Sequence, residues 1–253
     1  MVLSWELAAV GVVATALLAI AAIAAGALTR AAGALATIFG AVIVILAGFP
    51  YLALLVLFVL ASSLATRYGF QEKKRRNVQE GTAGERGVAN VVAHILIPTG
   101  LVLLSWSDPS VLPPAGAAFL YACAISFGAA DTFASEFGVL SGGARSILTW
   151  KPVPAGTNGG VSTLGELWAF VGAATTALFG LGLFTVFVAP QPSAAIMVAG
   201  VIGAGFLACQ FDSVLGETLE NRGFLTKGGT NVLGMLGAVL VGLAILVATG
   251  PLA

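Results

Sequence analysis

The chain has 253 residues, 58% hydrophobic and only 9% charged, with a formal net charge of zero. This excludes an ordinary soluble domain, in which about a quarter of residues are charged, and the charge balance predicts no nucleic-acid partner. What remains is an all-α, polytopic transmembrane bundle forming a single domain over 1–253, with 33 glycines available for close helix approach.

A span needs about 20 apolar residues. Eight are predicted, at roughly 7–28, 31–47, 51–66, 88–105, 115–130, 164–188, 194–211 and 231–249. The first lacks a basic flank and is already span-length, which argues against a cleavable signal peptide. Gly48-Phe49-Pro50 turns the chain between the short second and third spans. All 11 Lys and Arg then fall in odd-numbered loops: Arg30; Arg67, Lys73, Lys74, Arg75, Arg76 and Arg86; Arg145 and Lys151; Arg222 and Lys227. Because basic loops stay cytoplasmic, both termini are expected outside the cell membrane, with cytoplasmic loops at about 67–87, 131–163 and 212–230. The connectors Trp106–Pro114 and Pro190–Ser193 carry only Asp108 and read as plain links. Cys123 and Cys209 lie within spans and read as small core residues.

The run Lys73-Lys74-Arg75-Arg76 in the third loop reads as a topological anchor facing anionic headgroups. Arg86, Asn90 and His94 follow at i, i+4 and i+8, one stripe of the fourth span. His94 is the sole histidine. The stripe reads either as hydrogen-bonded packing or as the lining of a substrate path.

Two similar acidic motifs end the fifth and seventh spans: Asp131-Thr-Phe-Ala-Ser-Glu136 and Asp212-Ser-Val-Leu-Gly-Glu217. Carboxylates at the edge of a span are costly and mark functional sites by default. Both copies fall at the same end of the bundle, so two pairs brought together offer up to four carboxylates, a hard oxygen set that suits magnesium. On a regular helix, residues five apart lie about 140° around the axis. At least one copy must therefore break the helix if its two acids are to converge. The other reading is that these acids only cap helices or neutralise nearby bases. Glu220 is placed either with this site or in a solvated loop.

Between the motifs runs a glycine-rich loop, Gly138-Val-Leu-Ser-Gly-Gly-Ala-Arg145 and then Lys151-Pro-Val-Pro-Ala-Gly-Thr157-Asn158-Gly159-Gly160-Val-Ser162-Thr163. Its glycines allow backbone N–H groups to close on phosphate, Lys151 adds charge, and the next helix starts at its end. It lacks the Walker order, since the lysine precedes the glycines; a flexible connector is the alternative. The seventh loop repeats the ingredients in Asn221-Arg222 and Thr226-Lys227-Gly-Gly-Thr230-Asn231. It reads equally as a phosphate contact or as an anchor with a turn.

At these residues the chain resembles a family of integral membrane proteins that includes plant phytyl-phosphate kinase. The resemblance rests on Ala130-Asp-Thr-Phe-Ala-Ser-Glu-Phe-Gly138, the Lys151–Gly165 loop, Asp212-Ser-Val-Leu-Gly-Glu217 and Thr230-Asn231. The order of these pieces is also similar to CTP-dependent polyprenol kinases and membrane cytidylyltransferases. One departure is His94-Ile95-Leu96, where the family is expected to carry Asn-Gly-Gly.

The resemblance implies phosphoryl transfer from a nucleoside triphosphate, CTP foremost, to phytyl or polyprenyl monophosphate. It implies Mg2+ held by Asp131, Glu136, Asp212 and Glu217 as catalytic and metal residues. Nucleotide phosphates would lie on Lys151, Thr157, Asn158, Gly159 and Gly160; from the residues themselves, Ser162, Lys227 and Asn231 are further candidate phosphate contacts, and Arg86, Asn90 and His94 the candidate substrate path. A CDP-lipid-forming cytidylyltransferase uses the same parts, and a transporter also carries repeated acidic segments. Homo-oligomerisation is left open.

Overall fold

The computed structural model describes residues 4–188 and 193–250. Among them, eight helices are long and apolar enough to cross a membrane. They are α1 (Trp5–Ala24), α2 (Arg30–Ala47), α3 (Phe49–Arg67), α5 (Val88–Ser107), α6 (Pro114–Gly138), α7 (Thr163–Phe187), α8 (Ala194–Leu215) and α9 (Lys227–Thr249). The predicted spans are all present. Of the expected link Pro190–Ser193, residues 190–192 lie outside the described residues. Ser193 caps α8, its hydroxyl accepting from the Ile196 N–H.

Four local features depart from expectation. α6 runs past Asp131 to Gly138 instead of ending at 130. No glycine or proline interrupts Thr132–Phe137, so nothing stops the helix until Gly138. Asp131 is therefore interior, about two turns from the helix end. α9 starts at Lys227, four residues before the predicted 231, because the Thr226 hydroxyl accepts from the Gly229 N–H at 3.2 Å and caps the new first turn. A short helix, α4 (Phe70–Arg75), stands in the third loop after Gly69, which adopts a left-handed φ of 64°.

The fourth departure is in the glycine-rich loop, which is no flexible connector. It folds into three strands, β1 (Ala144–Ser146), β2 (Pro152–Val153) and β3 (Gly160–Val161), in antiparallel order β2-β1-β3. Pro152 sits on the outer strand β2, where a missing N–H is tolerated.

α6 is the axis of the bundle and packs against α3, α5, α7, α8 and α9. Its span is 89% buried, against 17% for α1. Small residues make this possible. A methyl group at Gly172 of α7 would come within 2.7 Å of the Ala129 carbonyl, so the two helices touch backbone to backbone.

The basic loops gather at one end of the bundle. Leu28 bridges to Arg86, and the Arg67 guanidinium donates to the Ala25 carbonyl oxygen.

Candidate functional site

At that end, the sheet, the loop before α5 and the ends of α6, α7, α8 and α9 enclose a polar cavity of about 310 Å³. Asp131 and Asp212 both line it, from α6 and α8. Asp212 Oδ1 is buried without a hydrogen-bond partner, and none of the hydrogen bonds among the described residues involves Asp131's carboxylate. An unpaired buried carboxylate oxygen costs about 1–3 kcal/mol or more. Asp212 Oδ1 carries that cost, and Asp131 faces the same space from α6.

The glutamates of the two motifs act differently. Glu136 borders the cavity, yet both its oxygens are engaged elsewhere: Oε1 accepts from Thr66 Oγ1 and Oε2 from Lys73 Nζ, each at 2.7 Å. Lys73, fully buried, also donates to the carbonyls of Ala65 and Thr66. Part of the presumed surface anchor is thus a buried brace that fastens α4 to α6. α6 stays regular, so the angular separation of residues five apart keeps Asp131 and Glu136 on different faces.

The second copy does break regular helix. α8 passes into a π-helical turn, Gly216–Glu220. Glu217 nevertheless leaves the cavity: Oε1 accepts from Ser146 Oγ at 2.6 Å and Oε2 from the Leu148 N–H at 3.4 Å. It holds the sheet against α8. Glu220 joins the cavity instead, its carboxylate accepting from Asn158 Nδ2 at 3.0 Å and Thr230 Oγ1 at 3.3 Å.

The expected set of four converging carboxylates is therefore not assembled. Among the described residues, no group of three or more Asp, Glu, His or Cys side chains is arranged to hold a metal ion.

Of the expected phosphate-binding residues, Thr157, Asn158, Gly159, Gly160, Ser162, Lys227 and Asn231 all line the cavity. Gly159 has φ +76°, and a Cβ there would stand 2.9 Å from the Ser213 carbonyl oxygen. Only glycine lets this loop lie directly on α8. Ser162 Oγ accepts from the Gly165 N–H at 3.1 Å and so starts α7 at the cavity wall. With Lys227 and Asn231 at the start of α9, two helix N-termini face the same space, an arrangement that favours anions.

Lys151 is not part of the cavity. It is exposed at the turn between β1 and β2, its carbonyl accepting from the Ser146 N–H at 3.0 Å. Lys227 supplies the lysine, and Glu80 pairs with it at 3.2 Å. Glu80 and Glu166 are further lining acids that the motif pattern does not reveal. Glu166 accepts from Gln210 Nε2 at 2.8 Å, and it is the sole charged residue of α7, a signal of the kind that singled out the aspartates. Glu80 carries no such signal.

Arg86, Asn90 and His94 do form one stripe, but it lines a second cavity, between α1, α2, α3 and α5.

Fold and site together define a polytopic helical membrane protein with an acidic, glycine-walled cavity at one end. The chain belongs to the integral membrane protein family DUF92, whose pattern matches residues 13–246. It is 36% identical to Protein PGR of Arabidopsis thaliana over 197 residues, 70% of this chain and 67% of that protein. An uncharacterized membrane protein of Methanocaldococcus jannaschii is 31% identical over 212 residues, 83% and 82% of the two chains. One from Synechocystis is 33% identical over 178 residues, 68% and 64%. No solved structure matches the chain.

Proposed function

We propose that the cavity transfers a phosphoryl group from a nucleoside triphosphate, CTP foremost, to an isoprenyl monophosphate on the cytoplasmic side. The observation that carries this reading is the pairing of two aspartates, one with a buried unpartnered oxygen, with the Thr157–Gly160 loop and Lys227 in one space. The terminal P–O bond of the triphosphate breaks, and a P–O bond to the acceptor phosphate forms. The nucleoside diphosphate leaves. A phosphate monoester has its second pKa near about 6, so the attacking oxygen is already ionised at neutral pH. This suits a cavity without histidine: no proton need be taken up, and catalysis reduces to positioning and charge neutralisation.

The residues fit Mg2+ in its usual mode, with one or two carboxylates from the protein and substrate phosphate and water completing the shell. Asp131 and Asp212 would be its protein ligands, while the oxygens of Glu136 and Glu217 are engaged elsewhere. Mg2+ would neutralise phosphate charge beside these acids. Lys227 and the N-termini of α7 and α9 would hold the remaining phosphate oxygens.

The test is an assay of the purified protein in detergent with phytyl or geranylgeranyl monophosphate, magnesium and each of the four triphosphates in turn. The expected product is the isoprenyl diphosphate, with CTP giving the highest rate. Incorporation of the labelled CMP moiety into lipid would make the protein a cytidylyltransferase. Absence of turnover with every pairing, together with flux in proteoliposomes, would make it a transporter.

A further inference from the structure

The second cavity, about 120 Å³, is apolar along most of its length, with Leu52, Leu55, Phe58 and Ile95 among its walls. Leu18 of α1 and Leu60 of α3 stand exposed at its margin, so it opens sideways toward lipid. Its other end is polar and incompletely bonded. Arg86 Nη1 donates to Asn90 Oδ1 at 3.2 Å, but Arg86 Nε is buried without a partner. His94 Nδ1 lies 2.8 Å from the Asn90 carbonyl oxygen, which requires the proton on Nδ1 and leaves Nε2 an acceptor. Nε2 is also buried and unpartnered. Arg86 and His94 are only 6% and 4% exposed. A buried guanidinium N–H and imidazole nitrogen left open are unfavourable unless something binds them.

The polar end adjoins the first cavity through α6. A Cβ at Gly128 would stand 3.1 Å from both His94 Cδ2 and Phe58 Cζ, and Gly128 precedes Asp131 by three residues, on the same face of the helix. Burial pulls the Arg86 pKa down, and the carboxylates of Glu80, Glu136 and Asp131 oppose that shift. The guanidinium is thus within electrostatic reach of the acidic cavity.

We propose that this groove is the binding site for a single-chain lipid phosphate. The hydrocarbon next to the headgroup lies among α1, α2, α3 and α5. Arg86 Nε donates to an ionised phosphate oxygen, and His94 Nε2 accepts from the oxygen that stays protonated in the bound monoanion, so that an ionised oxygen is still available to attack. The groove takes the head-proximal part of the chain, and its opening beside Leu18 and Leu60 leaves the rest in the bilayer. The assignment rests on the phosphoryl-transfer reading only for which phosphate reacts; binding is testable without turnover.

The test uses purified protein in detergent and geranyl monophosphate with a diazirine in its chain, with the labelled residues identified by mass spectrometry. Labelling is expected in α1, α3 and α5, competed by unmodified geranyl monophosphate. It should fall at least tenfold in Arg86→Gln and in Leu60→Trp, a change at an exposed position that leaves the thermal transition in place. Labelling confined to other helices, or equal labelling by the corresponding diazirine alcohol, overturns the groove. The two readings also separate. Groove labelling without turnover of any triphosphate overturns the kinase alone, whereas isoprenyl diphosphate formation without groove labelling overturns the groove alone.

Discussion

The two copies of Asp-x-x-x-x-Glu, in α6 and at the end of α8, differ in backbone and agree in use. The α6 copy is regular helix throughout, while the α8 copy spans the passage from α helix to π-helical turn. In both, the aspartate lines the shared cavity and the glutamate braces a neighbouring element: Glu136, at the cavity border, holds α4, and Glu217, outside the cavity, holds the β1 segment. Five residues on a helix separate side chains by about 140°, so the spacing distributes two tasks over two faces instead of concentrating four acids. The repeat thus joins a cavity-lining residue to a bracing one, twice.

The most severe way to break this division is at the aspartates. Asp131→Asn and Asp212→Asn should each lower turnover by roughly 100-fold or more, the scale of losing one preorganised electrostatic group. Thermal stability should stay level or rise, because Asp212 Oδ1 has no partner to lose. If either variant melts well below the native protein, that aspartate is a brace after all.

The glutamates should show the reverse pattern. Removing one partner of the buried Lys73–Glu136 pair, 2.7 Å apart, leaves a buried charge uncompensated and should cost about 3–5 kcal/mol. Lys73→Met is the sharper probe, and combining it with Glu136→Gln should recover part of the loss, a coupling readable from thermal melts of all three variants. Glu217→Gln, which weakens one charge-assisted bond to Ser146, should cost less, about 1.5–3 kcal/mol. Its functional effect should be a raised KM for nucleotide with kcat nearly unchanged, since it acts through the position of the sheet.

The spans were legible because lipid selects for length and apolarity, and every predicted span is present. The rank of the helices was less so. α1 is the most apolar span and the most exposed, while α6 is the least apolar and the most buried. Without a hydrophobic drive between helices in lipid, small and polar residues such as Gly128, Ser126 and Thr132 sit at the centre of the bundle. The run of Asp131, Thr132, Ser135 and Glu136 looked like a span end for the same reason. The aspartates and Thr157–Gly160 were legible from residue type and spacing. Glu80 was not, since its place depends on α4 being fastened by Lys73 and on its pairing with Lys227. Lys151 misled because local sequence puts it in the glycine-rich loop, while strand pairing turns it out to solvent.

The smallest effect sharpens what holds α4 in place. Glu72 on its surface has its pKa lowered from 4.5 to about 2, first by its hydrogen bond from Arg75 and then by that from Arg76. A depressed carboxylate pKa means that this contribution is complete above pH 4.5 and is lost as pH falls toward about 2. Glu72 is solvent-facing, and exposed pairs contribute little. If the buried Lys73–Glu136 brace carries α4, Glu72→Gln should leave the thermal transition at neutral pH within about a degree or two of the native value and remove only a shallow acid-dependent slope. Hydrogen exchange of the α4 amides is the direct readout. Protection should persist in Glu72→Gln and vanish in Lys73→Met. Equal loss of protection in both would transfer the anchoring of α4 from the buried brace to the surface pairs, and with it the claim that the motif's glutamate has a structural task.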